Sequence, residues 1–389
     1  MKRVILLLLL VMALTSGKTT MAADMDMDMD MDRFEPETEF INYTEKGLVL
    51  QASEIVQRPE DYFSTQSITV RIESGKFRGE VHEIENVLSD HAYYDIIVEE
   101  GQKVSLMIEE YPDGGYNVYI SDYYRMDSII YLLGAFILLV VLVGRSKGIK
   151  SLVSLGVTIS AVLFVMLPLI LRGFNPIFVS VITAVLVTVV TIFLVAGINH
   201  KSASAIAGTS IGVIVAGVIS YIVGNQASLS GLSAEEATML MYIPQGIQFN
   251  FRHLLFAGII MGALGAAMDV GISIASAIDE IHKANPKLSS RRLFRSGMNV
   301  GKDVMGTMVN TLILAYTGTS IPMLLLFMAY ETDLSKVFNL DVIATEIVRS
   351  LSGSIGLILT IPITAMIASY YAKENRVTKK KGHKENEVI

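Results

Sequence analysis

Between Leu254 and Pro322 two apolar runs carry polar residues at helical spacing. In the first, Gly258, Gly262, Gly265, Asp269, Ser273, Ser276 and Glu280 recur every three or four residues, so one helix face holds them all. In the second, Asn299, Asp303, Thr307, Asn310 and Thr317 repeat the pattern. A carboxylate in the middle of a hydrocarbon layer costs about 2.5–3.5 kcal/mol on the insertion scale, so it is kept where it meets protein, water or a ligand. The chemistry on offer is oxygen-donor: a carboxylate that can take a proton or a cation, with hydroxyl and amide groups to line a route. The candidate transport or ion-binding residues are therefore Asp269, Ser273, Ser276, Glu280, Asn299, Asp303, Thr307 and Asn310. The competing reading makes Asp269 a hydrogen-bonding link between helices. Gly258-x-x-x-Gly262 is a close-packing signature of membrane helices, so the shared face is expected to lie against another helix. Tyr316-Thr317-Gly318-Thr319-Ser320-Ile321-Pro322 then interrupts the second run. Such a break frees backbone polar groups for a substrate, or is repaired locally by Ser and Thr side chains.

The elements that position these residues follow from composition. Of 389 residues 52% are hydrophobic and only 18% charged, which excludes an ordinary soluble domain. The chain has no Cys, which removes disulfides, thiolate metal sites and Cys-based catalysis. Lys2 and Arg3 followed by the apolar run Val4–Leu14 read as a secretory signal over residues 1–23, with an uncleaved anchor as the alternative. Residues 24–32 alternate Asp and Met, and 24–33 read as an acidic linker in preference to a soft-metal tract.

Residues 34–125 read as an extracytoplasmic β-rich domain, a small barrel or sandwich with an OB fold among the options. Ser67–Glu73 and a run from Phe77 flank a Ser74-Gly75-Lys76 turn. Lys103–Glu110 and Tyr116–Ser121 flank Pro112-Asp113-Gly114-Gly115, a strong hairpin signal. The tyrosines from Tyr111 to Tyr124 read as packing residues, and the acidic excess argues against nucleic acid.

From residue 128 to 372 seven spans are expected, at 128–144, 151–171, 174–197, 203–224, 254–278, 304–330 and 342–370. Residues 225–251 are too short and broken to span, and read as an outside surface helix in preference to a re-entrant segment. Basic residues set the orientation. One side collects Arg145, Lys147 and Lys150, then Lys201, then the loop from Lys283 to Lys302, then the basic tail 373–389; the other holds Arg172, Arg252 and Lys336. The N-terminal domain is thus expected outside and the C-terminus in the cytoplasm. Glu346 and Arg349 read as a structural pair. Small residues at Ala205, Gly208, Gly212 and Ala216 mark a packing face. No P-loop, HExxH or G-x-S-x-G motif and no catalytic triad is found, so the chain is read as a non-enzyme without cofactor or metal.

The stretch Ala267–Pro286, containing Met268-Asp269-Val270-Gly271-Ile272-Ser273-Ile274-Ala275 and Glu280-Ile281-His282-Lys283-Ala284-Asn285-Pro286, resembles the YibE/F-like family. Ser296–Pro322 and Gly197-Ile198-Asn199-His200-Lys201 extend the resemblance. It implies a bacterial multi-pass membrane protein and brings no substrate or activity with it. The function expected from the residues is a secondary transporter or permease for a small solute or ion in the cell membrane, alone or with a second copy or another membrane protein. The alternative is a sensor or assembly scaffold whose outer domain binds a partner or envelope polymer.

Overall fold

The computed structural model describes residues 41–57, 63–89, 95–243, 247–330 and 333–385, with side chains as far as Ala372. The signal and Asp-Met expectations, Pro244-Gln245-Gly246 and the side chains of the basic tail lie outside the described residues. The described residues form two compact units that divide between Leu139 and Val140.

The first unit is an antiparallel half-barrel. Its strands are β1 (Ile41–Ala52), β2 (Val56–Gln57), β3 (Ser64–Ile72), β4 (Val81–Leu88), β5 (Lys103–Glu110) and β6 (Tyr116–Tyr123). β3 pairs with β4 on one edge and with β1 and β2 on the other, and the sheet continues through β5 to β6. Alternation dictates the core: Ile68, Val70 and Ile72 of β3 and Val104, Leu106 and Ile108 of β5 point inward onto Val49, Phe77, Ile84 and Val98. Register shifts at Val49/Gln51 and Ser105/Leu106 are bulges that increase the bend. Tyr116 on β6 reaches the start of β4: its hydroxyl bonds Glu80, just before the strand, and lies 2.9 Å from His82 Nε2. The expected hairpin at 103–121 forms, whereas the run from Phe77 turns until Val81 before it becomes a strand. Tyr116 and Tyr123 pack on the core as expected; Tyr119 is exposed. One buried polar residue, Gln66, replaces a missing strand partner: its amide donates to the Val98 carbonyl (2.8 Å) and accepts from the Val98 N–H (3.2 Å).

The helices are α1 (Met126–Leu171), α2 (Pro176–Ala196), α3 (His200–Gln226), α4 (Glu235–Met239), α5 (Phe251–Ala284), α6 (Ser290–Thr319), α7 (Ile321–Ala329), α8 (Leu334–Phe338) and α9 (Asp341–Glu385). Among the described residues five helices are long and apolar enough to cross a membrane, and α6 with α7 makes a sixth candidate bent by 61°. The first two expected spans appear as one helical run of 46 residues, interrupted at Arg145 by φ 48° and ψ −131°. A Cβ on Gly148 would lie 2.1 Å from the Val140 carbonyl oxygen. Eight residues of unbroken helix span about 12 Å, so the chain doubles back here. Between α3 and α5 the described residues of the stretch expected as a surface helix hold the five-residue α4 and one 3-10 turn.

Asn175, Asn199, Asn250 and Ser289 cap the starts of α2, α3, α5 and α6 through their side-chain oxygens. The bundle core is α3, α5 and α9. The small-residue face of α3 is buried as expected, with Gly208 against Thr364 and Gly212 against Thr360 and the Gly356 carbonyl of α9. On the other side of α9, Leu357, Ile361, Ala365 and Ala368 meet Val270, Ile274 and Ile278 of α5 and Leu293 and Leu312 of α6.

Candidate functional site

α5 and α6 are consecutive and antiparallel. Ile278 lies against Gly297, Ile274 against Gly301, and the Tyr316 hydroxyl against Gly262. Extending that register puts Asp269 near the depth of Thr307, Ser273 near Asp303, Ser276 near Asn299 and Gly265 near Asn310. Asp269 follows Phe251 by 18 residues and precedes Ala284 by 15, about 27 and 22 Å of helix, so it sits near the middle of α5.

The sequence places these residues on one face of each helix, and the structure agrees. It corrects where those faces point. Within one chain the α5 face is open: Gly258, Gly265, Asp269, Ser273 and Glu280 are exposed and Ser276 is half-buried. Gly258 and Gly265 have nothing within 4 Å of an added Cβ; Gly262, itself exposed, has the Tyr316 side chain there. The physical reason lies in the rest of the helix. Ala257, Ile260, Leu264, Ala267, Val270, Ile274 and Ile278 supply apolar surface around the other flanks, and those flanks meet α2, α3, α6 and α9. Burying them leaves the glycine-aspartate face outward.

α6 is built the same way. Leu293, Gly297, Gly301 and Leu312 are buried, while Asn299, Lys302, Asp303, Gly306, Thr307 and Asn310 are exposed. Thr307 donates its hydroxyl to the Val304 carbonyl (2.9 Å), which leaves its lone pairs free. Glu280 is held at the end of α5 by Lys283 (2.9 Å), which also meets Asp279 (2.8 Å). Asp269, Asn299, Lys302, Asp303 and Asn310 make no hydrogen bond or ion pair among the described residues. Among the described residues no large apolar side chain is exposed from residue 243 to 312, a segment that includes all of α5 and most of α6.

The break after α6 forms a second feature that sequence spacing did not assemble. Tyr316, Thr317 and Ser320 at the bend, Leu324 of α7 and Phe338 of α8 face Ile343, Glu346, Ile347 and Ser350 of α9 across a cleft of about 270 Å³. Glu346 Oε1 accepts from Arg349 (2.7 Å), as the pair expected, while its Oε2 is buried without a partner. The signal available in sequence was the Gly-Pro break and the acid-base pair lying toward the same end. Their meeting needed the fold of α9. No group of three or more His, Cys, Asp or Glu arranged to hold a metal occurs among the described residues.

Two family models match the chain. That of the YibE/F-like protein covers residues 132–374, and that of the YibE/F family N-terminal domain covers residues 44–123. No curated protein and no solved structure matches. The chain belongs to the YibE/F-like family.

Proposed function

We propose that this YibE/F-like chain is a secondary transporter or permease for a small solute or ion, with the polar band of α5 and α6 as its route. The observation that carries the reading is the placement of Asp269 near the middle of α5, a helix with no exposed large apolar side chain. A face like that is unsuited to lipid and suited to water, protein or cargo. Asp269 would bind or couple the cargo; Ser273, Ser276, Asn299, Asp303, Thr307 and Asn310 would line the route, with Glu280 toward its inner mouth. The bend between α6 and α7 supports the same reading, since broken spans supply free backbone groups at transport sites.

The topology that goes with this reading has seven spans. The doubling back at Arg145 divides α1 into two, and α6 with α7 counts as one. The half-barrel then lies outside the bacterial cell membrane and the C-terminus in the cytoplasm, as the basic residues direct. The half-barrel sheet also suits the scaffold reading, in which an OB-like outer domain binds a partner or envelope polymer.

Purified protein in liposomes, followed for proton and monovalent-cation flux, tests the proposal. Flux that is lost in Asp269→Asn is the expected result. No flux, or flux unchanged by Asp269→Asn, removes the assigned route. Flux retained after deletion of 34–125 separates a membrane-core permease from a scaffold.

A further inference from the structure

The outer faces of the other long helices set a standard for what this molecule shows to lipid. α1 exposes Ile129 to Leu133 and Phe136; α2 exposes Phe178, Ile182 and Leu186; α9 exposes Leu351 and Ile355. α5, and α6 as far as Leu312, depart from that standard completely. Their open faces carry Asp269, Ser273, Asn299, Lys302, Asp303 and Asn310, and leave Gly258, Gly265 and Gly306 with open space where a Cβ would stand. A membrane span cannot present such a surface to hydrocarbon, and the glycines let another helix backbone come close.

We infer that a second copy of this chain packs on the α5/α6 face, two polar bands meeting across a two-fold axis along the membrane normal. The charges argue for a copy of the same chain over an unrelated protein. Lys302 and Asp303 are neighbours on the exposed side of α6, and neither has an ion-pair partner among the described residues. A two-fold contact joins equal depths, so Lys302 of each copy meets Asp303 of the other. A patch that carries both signs at one level complements itself. The inference rests on the reading of α5 and α6 as membrane spans and deepens the proposed route, which two facing bands would enclose.

The absence of Cys makes the test direct, because one introduced Cys has no thiol in its own chain to bridge to, and a product of twice the monomer mass that carries both of two different tags is a pair of copies. Asn299→Cys, Gly306→Cys and Asn310→Cys are each oxidised with copper phenanthroline, or treated with a short bis-maleimide, in intact membranes. Ile182→Cys and Leu351→Cys serve as lipid-face controls. The expected result is a non-reducible dimer with the maleimide, and a reducible one with the oxidant, several-fold above the controls. Bridging at none of the three positions, or equally at the controls, overturns the inference.

Charge exchange gives a second readout. With two differently tagged copies, Lys302→Asp pairs with Asp303→Lys, while each charge variant pairs poorly with itself. Self-pairing of Lys302→Asp at the wild-type level overturns the proposed contact. The two proposals fail separately. Dimers without flux of any tested ion remove the route and leave the interface. Flux without dimers removes the interface and leaves the route.

Discussion

The contact between α3 and α9 allows a sharp test of how the bundle is held. Gly212 of α3 faces Thr360 and Gly356 of α9, and an added Cβ would stand 2.0 Å from Thr360 Oγ1 and 2.7 Å from the Gly356 carbonyl oxygen. Thr360 cannot rotate away freely, because its hydroxyl donates to that same carbonyl (3.0 Å). The carbonyl is backbone and moves only with the helix. Gly212→Ala must therefore push the helices apart, and a gap of about 0.5–1 Å forfeits a quarter to a half of each facing dispersion contact. Overpacking of this kind costs about 1–3 kcal/mol. The better helix propensity of Ala returns up to about 1 kcal/mol. A net loss of up to about 2 kcal/mol remains, at most roughly a 30-fold shift in the unfolding equilibrium, and Gly212→Ala should lie about 1–3 kcal/mol below a substitution that makes only the propensity gain. Gly258→Ala is the control, since nothing lies within 4 Å of its Cβ; in dilute detergent it should change stability by no more than about 0.5 kcal/mol either way, apart from the propensity gain. The measurement is reversible denaturant unfolding of the purified protein, followed by helical circular dichroism. If Gly212→Ala is as stable as Gly258→Ala, the close α3/α9 crossing is wrong.

Three further outcomes are expected. Gln66→Leu strips the Val98 N–H and carbonyl of their buried partners, at about 1–3 kcal/mol for each group orphaned, and should lower the melting temperature of the half-barrel. The Tyr116 phenol is pushed up to about 12, first by desolvation and then by its bond to Glu80. Because the folded value is raised, the half-barrel should keep full stability below about pH 10 and lose it as pH rises towards 12; tyrosinate absorbance with unfolding should show this, and Tyr116→Phe should lessen the loss. At the other extreme, Lys76 and then Tyr43 hold the Glu110 carboxyl below its ordinary range, so this pairing supports stability above about pH 4.3 and fades as the carboxyl is protonated; Glu110→Gln should flatten the acid limb of a pH–stability curve. Finally, Lys147→Cys should react with a membrane-impermeant maleimide from the cytoplasmic side if the chain turns at Arg145, and should be unreactive from both sides if the 46-residue run is one continuous span.

The elements themselves were legible because their signals are local. The 103–123 hairpin follows from alternation and an Asp-Gly-Gly turn, and the long helices from apolar length. The common phase of Asp269 with the glycines, and of Asp303 with Asn299 and Asn310, depends only on helical pitch. Two things were not legible. Gly258-x-x-x-Gly262 looks the same in sequence whether the face it marks is filled by the same chain or by another. Which face a helix buries is a competition among all its flanks, and on α5 the apolar flanks won, leaving the polar one open. The meeting of Glu346 with the broken end of α6 likewise needed α9 to return along α5 and α6, a contact between residues far apart in the chain. The amino-acid sequence thus determined which residues share a face and that hydrocarbon is a poor neighbour for them. Only the tertiary structure decided that this chain does not cover that face itself, because packing energy is settled between surfaces and no single helix carries its own partner.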